Sequence, residues 1–221
     1  MGASNSESLQ EQLKRAKKTL ERTGKSVDRL IAVLEPTEQM LMRKEFQTRT
    51  VLDPGQAKVV LCLEEELASS KSFRKAISKL SMTKPTLVKI PEDRNSRLTN
   101  LTVARMIPVE VLTKSEGQVL VVNLQRELML KQLEQTKSVV LGQRYYLNSN
   151  DAIVRLSAAL ESQGINVLED QGLYGGSVLT YELVRTLEGR PQSTVLEITL
   201  SKSVAENTNI LKRVLESLLS L

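Results

Sequence analysis

The feature that most constrains this chain is the spacing of apolar residues in its first forty positions. They recur at alternating intervals of four and three residues, with Thr23 at the single core position that is not apolar. This spacing predicts an amphipathic helix of coiled-coil type, whose apolar stripe must be buried against a partner surface. The predicted seam comprises Leu9, Leu13, Ala16, Leu20, Val27, Leu30 and Leu34. Pro36 lacks an amide hydrogen and is predicted to end the helix.

Three partners are open for this stripe: another copy of the chain, a different protein, or the body of this chain itself. The positions flanking the seam carry few complementary charges, so helix orientation and partner identity do not follow from the sequence. We expect protein partners or self-association through this helix, and therefore an oligomer.

Composition restricts the core and the compartment. Aromatic residues are only 3% of the chain and Trp is absent, so Leu, Val and Ile must supply the core. No apolar run approaches the roughly 18 residues of a membrane span, and the start lacks the apolar segment of a secretory signal. The single Cys62 cannot form an intramolecular disulfide, so we expect a cytoplasmic or nuclear protein.

The sequence predicts an α+β fold, in which the coiled-coil-like N-terminal helix is followed by a region of mixed helices and strands. A capping signal at Asp53-Pro54-Gly55-Gln56 favours a helix to about Leu80. Runs rich in Val, Leu, Ile and Thr predict strands over 86–90, 101–112 and 118–124, within a β-rich region of about 86–124. Helix formers follow from Leu124 to about Leu141.

The last seventy residues predict the order α-β-β-β-α. A helix begins at Ser149 or Asn150 and stops at Gly164, strands follow over 165–168, 177–187 and 194–200, and a capping box of Ser203 and Glu206 opens the final helix. Three parts are therefore expected: the helix at 1–50, a helix plus β-rich middle at 51–148, and the α-β-β-β-α module at 149–221.

The residue types argue against the common catalytic chemistries. There is no His, so the most frequent general base and metal ligand is missing, and one Cys cannot build a zinc cluster. No phosphate-binding glycine loop, dinucleotide-binding turn or nucleophile elbow is present. We therefore expect no enzyme, no catalytic or metal-binding residue and no cofactor.

Charge is distributed unevenly along the chain. Residues 68–107 hold nine Lys or Arg against two acids, whereas residues 150–200 hold three basic residues against seven acids. The basic stretch is a candidate surface for a polyanion, including nucleic acid, and its alternative is an ordinary solvated face. The candidate residues are Lys71, Arg74, Lys75, Lys79, Lys84, Lys89, Arg94 and Arg97.

The first six residues match a loose myristoylation pattern, in which Gly2 is the acceptor and the sixth residue, Ser6, is the required serine or threonine. The alternative is a chance match. A membrane partner is expected only if Gly2 is acylated, because one acyl chain anchors a protein marginally.

Together these features favour a non-enzymatic, oligomeric scaffold or structural component of a cellular or viral assembly that uses the N-terminal coiled coil. A nucleic-acid-binding protein using the basic stretch is the second hypothesis, and a myristoylated peripheral membrane protein is the third.

Overall fold

The computed structural model describes residues 17–19, 21–25, 43–44, 51–53, 58–81, 83–90, 97–112, 118–126, 137–147, 150–172, 174–190 and 192–221. The chain divides into two compact units, Met1–Lys44 and Glu45–Leu221.

In the first unit the described residues 17–19, 21–25 and 43–44 are helical. Thr23 donates a hydrogen bond from its Oγ1 to the carbonyl oxygen of Thr19 at 2.9 Å, as a threonine inside a helix can. All seven predicted seam residues, from Leu9 to Leu34, lie outside the described residues, and so does Gly2. The coiled-coil and lipidation hypotheses therefore stay predictions.

The second unit alternates strands and helices in the following order. Its strands are β1 (Val51–Asp53), β2 (Val59–Glu64), β3 (Thr86–Ile90), β4 (Val119–Arg126), β5 (Ser138–Leu147), β6 (Asn166–Asp170) and β7 (Ser193–Leu200). Its α-helices are α1 (Glu65–Ser69), α2 (Lys71–Ser78), α3 (Arg97–Met106), α4 (Asn150–Glu161), α5 (Val178–Leu187), α6 (Lys202–Ala205) and α7 (Thr208–Leu219). A π-helical turn, Ile107–Val111, follows α3.

The strands form one mixed sheet in the order β1-β3-β2-β4-β7-β5-β6. Its centre, β3-β2-β4-β7, is parallel, whereas β1 and β5 pair antiparallel with β3 and β7, and β6 is parallel to β5. The strands of the predicted middle region and of the predicted C-terminal module thus share a sheet. Helix-covered parallel strands are buried on both faces, which is why β2 and β4 are nearly continuous apolar runs.

One face of the sheet, here called the aliphatic face, carries the main core. It presents Leu61, Leu63, Val122, Leu124 and Ile198, all 0–1% exposed, to α1, α2, α4, α6 and α7. Alternate residues of the same strands point to the other side. The core of the protein is therefore aliphatic, as the composition predicts.

The opposite face is covered by α3, the π-helical turn and α5, which pack against one another. We call it the polar face because β4 and β7 place Asn123, Gln125, Glu197 and Thr199 there. These four residues form two cross-strand pairs, Asn123 with Glu197 and Gln125 with Thr199. Apart from Gln125, which is partly buried, they are at most 3% exposed.

The mixed helix-and-strand class predicted from the sequence is confirmed, but several elements differ. Val59–Glu64 is a strand inside the predicted 53–80 helix, and 138–141 is strand where a helix was predicted. The predicted strands at 101–112 and 177–187 are helical. The predicted α-β-β-β-α module is therefore wrong, and its order is α-β-α-β-α-α.

Other local predictions are confirmed. Strands occupy 86–90, 119–126, 166–170 and 193–200, and α4 ends before Gly164, whose φ of 73° suits glycine at a helix C-terminus. The three-part domain division stays a prediction. None of the helices among the described residues is long and apolar enough to cross a membrane.

Candidate functional site

The candidate site is built around Glu197, an acid in the middle of the apolar strand β7. Strand alternation places its side chain on the polar face, where it is 3% exposed. Burying a carboxylate is costly unless hydrogen bonds replace the lost water. The neighbouring elements supply those bonds.

Three donors converge on one oxygen of this carboxylate. The backbone N–H of Ser177 donates to Glu197 Oε2 at 2.7 Å, the Thr180 hydroxyl donates to it at short range, and Asn123 Nδ2 lies 3.5 Å from it. Within the described chain, Glu197 Oε1 accepts no hydrogen bond and the residue forms no salt bridge. One oxygen of the carboxylate is thus fixed by three donors, and the other has no donor among the described residues.

Asn123 ties the strand β4 to the start of α5. Its Nδ2 donates to Ser177 Oγ at 2.8 Å and to Thr180 Oγ1 at 3.0 Å. The amide is oriented with its Nδ2 towards Glu197 Oε2 and the two hydroxyls. Asn123 Oδ1 consequently points away from these donors, is buried, and has no hydrogen-bond partner among the described residues.

Two further oxygens on this side of the sheet are Thr102 Oγ1 on α3 and Thr199 Oγ1 on β7. Both are buried and make no hydrogen bond within the described part of the chain. Thr102 and Thr199 are each 2% exposed. A buried polar atom without a partner is uncommon and calls for a water, a ligand or a catalytic role. Asn123 and Thr199 lie on the two strands that pair at Glu197, and Thr102 lies on a helix that covers the same face, so we place the candidate site on this face of the sheet.

The approach of the loop before α5 requires a glycine on β5. A Cβ atom on Gly142 would lie 2.8 Å from the carbonyl oxygen of Tyr174 and 2.9 Å from that of Gly175. The Arg144 N–H donates to the same Gly175 carbonyl at 2.6 Å. This close contact between loop and strand brings Ser177 within reach of Glu197.

A bulge in β5 shapes the rim of the site. The pairing with β7 shifts between Gly142 and Leu147, and Tyr145 in this interval packs over Gly176 and against the Tyr181 ring, with centroids 5.2 Å apart. The Arg185 guanidinium lies 5.6 Å from the Tyr181 centroid, within cation–π range. Bulges commonly redirect side chains beside functional sites.

The strand order places a topological switch point next to this region. From β2 the chain continues to β3 on one side, and β4 then lies on the other side of β2. In such sheets ligands bind beyond the carboxyl ends of the strands at the switch point. There Arg126 Nη2 at the end of β4 pairs with Glu66 Oε1 on α1 at 2.8 Å.

No group of three or more His, Cys, Asp or Glu side chains in the described ranges could hold a metal ion. Cys62 lies on the polar face opposite Asn123 and is completely buried. Desolvation by burial raises the pKa of its thiol from 9.0 to about 12. The thiol is therefore protonated and unreactive at neutral pH.

The predicted polyanion-binding residues lie elsewhere. Lys71, Arg74 and Lys75 are exposed along one side of α2, and Lys79 is exposed at its end. Lys84 is exposed in the following loop, and Lys89 is partly buried in β3. Arg94 and the side chain of Arg97 lie outside the described residues. Binding of a polyanion by this set stays a prediction, as do the predicted protein partners.

Sequence reasoning missed the site itself. Glu197 and Asn123 each interrupt an otherwise apolar strand, in the segments Val195–Ile198 and Val121–Leu124. A charged or amide side chain inside a buried run is itself a signal, because its burial must be compensated.

No protein-family model matches the chain. No curated protein matches it by sequence. The chain is similar to a solved structure described as "Structure of Bacteriophage poly-gamma-glutamate hydrolase", with 13% identity and a TM-score of 0.43. The match covers 78% of this chain and 87% of that chain. At these values it assigns no substrate and no residue role to this protein.

The similar structure is that of an enzyme. The prediction of a non-enzymatic scaffold is therefore wrong, and so is the prediction that the chain is no enzyme. The physical error lay in treating the absence of His as the absence of proton-transfer groups, although a buried carboxylate can serve as one.

Proposed function

We propose that the protein is a hydrolase for a polar acyl compound, an ester or an amide, and that Glu197 is its proton acceptor. The observation that carries the proposal is the geometry of the Glu197 carboxylate, which is 3% exposed and fixed at Oε2 by three donors while Oε1 is left open within the described chain.

Acyl hydrolysis needs a group that removes a proton from the attacking oxygen, and a positioned carboxylate can do this. It also needs donors for the negative charge that develops, which the N-terminus of α5 supplies. The unpartnered oxygens of Thr102, Asn123 and Thr199 would accept hydrogen bonds from a polar substrate or from water. Carboxylate, helix terminus and acceptors therefore occur together on the polar face.

The test is a hydrolysis screen of the purified full chain with p-nitrophenyl esters of short acids and with peptides joined through α- and γ-carboxyl groups. Glu197→Gln keeps the size of the side chain but removes its basicity. It is expected to lower kcat by about 10²- to 10⁴-fold, the usual contribution of a general base.

Glu216→Gln is the matched control. Glu216 on α7 also accepts hydrogen bonds, from Ser81 Oγ at 2.9 Å and within an ion pair with Lys212 at 3.2 Å, but α7 packs on the aliphatic face. This variant is expected to keep wild-type turnover. Equal turnover by wild type and a folded Glu197→Gln protein, or no hydrolysis of any substrate, would overturn the proposal.

A further inference from the structure

The hydrogen-bond network around Glu197 has a defined direction. Glu197 Oε2 only accepts, so the single hydroxyl proton of Thr180 is used in the bond to that oxygen. Ser177 Oγ lies 3.3 Å from Thr180 Oγ1, and the proton between these two hydroxyls must therefore come from Ser177. The bonds run from Ser177 through Thr180 to Glu197.

Exposure changes along this path. Thr180, Asn123 and Glu197 are 0%, 1% and 3% exposed, whereas Ser177 is only partly buried. Of these four residues, Ser177 is the one that reaches the surface. A substrate approaching from solvent would meet Ser177 before the other three residues.

The surroundings of Ser177 Oγ suit a negatively charged oxygen. It accepts from Asn123 Nδ2 at 2.8 Å and from the Thr180 N–H at 3.3 Å, and it caps the N-terminus of α5. Helix N-termini favour negative charge. On the side of the amide that faces away from Ser177, the buried Oδ1 of Asn123 has no hydrogen-bond partner among the described residues, as a site for water or a polar ligand would require.

Ser70 provides a comparison within the same chain. It is also partly buried, and it also caps a helix, accepting from the Phe73 N–H at 3.1 Å. Among the described residues, the hydrogen bonds of the Ser70 side chain do not lead to a carboxylate. Capping alone therefore does not produce the arrangement found at Ser177.

We infer that Ser177 is the nucleophile of this site, with Thr180 relaying its proton to Glu197; the inference rests on the proposed acyl hydrolysis. Ser177 Oγ forms a bond to the acyl carbon, its proton passes to Thr180 Oγ1, and the Thr180 proton passes to Glu197. The leaving alcohol or amine departs with this proton, returned from Glu197 through Thr180, as the carbonyl re-forms. Water then cleaves the acyl–Ser177 ester, releases the acid and restores the Ser177 hydroxyl.

The test is labelling of the full chain with an alkyl fluorophosphonate, followed by intact mass and peptide mapping. In this reaction Ser177 Oγ bonds to phosphorus, the P–F bond breaks, fluoride leaves, and the serine proton passes through Thr180 to Glu197. We expect one adduct, located on Ser177. The adduct should be lost in Ser177→Ala and retained in the control Ser70→Ala.

Two further variants separate chemistry from folding. Thr180→Val keeps the shape of the side chain but removes the relay hydroxyl, and Glu197→Gln removes the base. Each is expected to slow labelling of Ser177 by more than tenfold, with the folded state checked by circular dichroism. No adduct on Ser177 of the wild-type chain, or equal labelling of Ser70, overturns the inference, and so does unchanged labelling in folded Thr180→Val.

The two proposals fail in different ways. If turnover depends on Glu197 but no adduct forms on Ser177, the hydrolase proposal stands and Ser177 is not its nucleophile. If an adduct forms on Ser177 but no screened substrate is turned over, Ser177 is a nucleophile and the proposed hydrolysis is overturned.

Discussion

Gly142 shows how a single residue controls the geometry of the site. The loop before α5 approaches β5 so closely that two carbonyl oxygens, of Tyr174 and Gly175, occupy the space of a side chain at this position. Since backbone atoms cannot move away as a flexible side chain can, any substituent at Gly142 must displace the loop. Ser177 and its bond to Glu197 would move with it.

Gly142→Ala is therefore expected to lower the free energy of unfolding by about 1–3 kcal/mol, the usual cost of overpacking a tight contact. Urea denaturation measures the change. Gly189→Ala is the control, since no atom of the described residues beyond its chain neighbours lies within 4 Å of the Cβ position there, and its expected effect is below about 1 kcal/mol. A Gly142→Ala protein as stable as wild type would contradict the close contact.

At the residue scale, the sequence contained a usable signal for part of the site. Glu197 and Asn123 stand out because each is polar within an apolar strand. Ser177 and Thr180 carry no such signal, since serine and threonine near a helix start are common. Their meaning depends on parallel pairing of β4 with β7, which brings together residues more than seventy positions apart.

At the scale of single elements, α5 explains why a helix was predicted as a strand. Its Val, Thr and Tyr content favours strands. Leu179, Leu183 and Leu187 nevertheless recur every four residues and are all buried, and Ser177 accepts from the Thr180 N–H as an N-cap. Helical spacing with a capping residue was therefore the better guide.

The final helix begins later than predicted. Ser203 and Glu206 were expected to form a capping box, but α7 starts at Thr208, and Asn207 is its N-cap. Asn207 Oδ1 accepts from the N–H groups of Asn209 and Ile210 at 3.0 and 3.1 Å. Because these donors have no partner within the helix, the side chain of Asn207 stabilises its start.

Asn207→Ala is expected to cost about 1 kcal/mol of unfolding free energy, the typical value for a lost N-cap. Glu206→Ala, one residue earlier and exposed, is the matched control, with an expected change of less than about 0.5 kcal/mol. Urea titration of both variants decides between the caps. A larger loss at Glu206 than at Asn207 would support the capping box instead.

At the scale of the whole molecule, the pairing of strands that are distant in sequence decides between helix and strand where local patterns do not. The run Val59–Glu64 fits a strand buried on both faces, yet the capping signal at Asp53-Pro54-Gly55-Gln56 favoured a helix. Its position between β3 and β4 in a parallel sheet makes the strand necessary. Such non-local pairing has no signature in a single stretch of sequence.

Cys62 on β2 is a reporter of global opening, because it is fully buried in the centre of the sheet. At neutral pH we expect a thiol reagent to label the native chain more than about 10³-fold slower than the urea-unfolded chain, as the stability of a folded domain implies. Labelling that is quenched at set times and followed by mass spectrometry measures the ratio of the two labelling rates. Rapid labelling of native protein would show that this strand opens locally.

The same thiol makes stability depend on alkaline pH. Its pKa is raised by burial from 9.0 to about 12, so the folded state keeps the proton that the unfolded state releases above pH 9. The contribution of Cys62 to stability is therefore complete below about pH 9 and is lost as pH rises towards 12. Wild type should lose more unfolding free energy over this range than Cys62→Ala does.

The separation of the sheet into an aliphatic and a polar face has a consequence for how such a sequence can change. Along β4 and β7, every second residue belongs to the core of the aliphatic face, and the positions between them include Asn123, Gln125, Glu197 and Thr199 of the polar face. Leu, Ile and Val can replace one another on the aliphatic face at modest cost. Laboratory evolution for heat tolerance should therefore accumulate exchanges at alternate positions of these strands, while selection for turnover acts on the positions between.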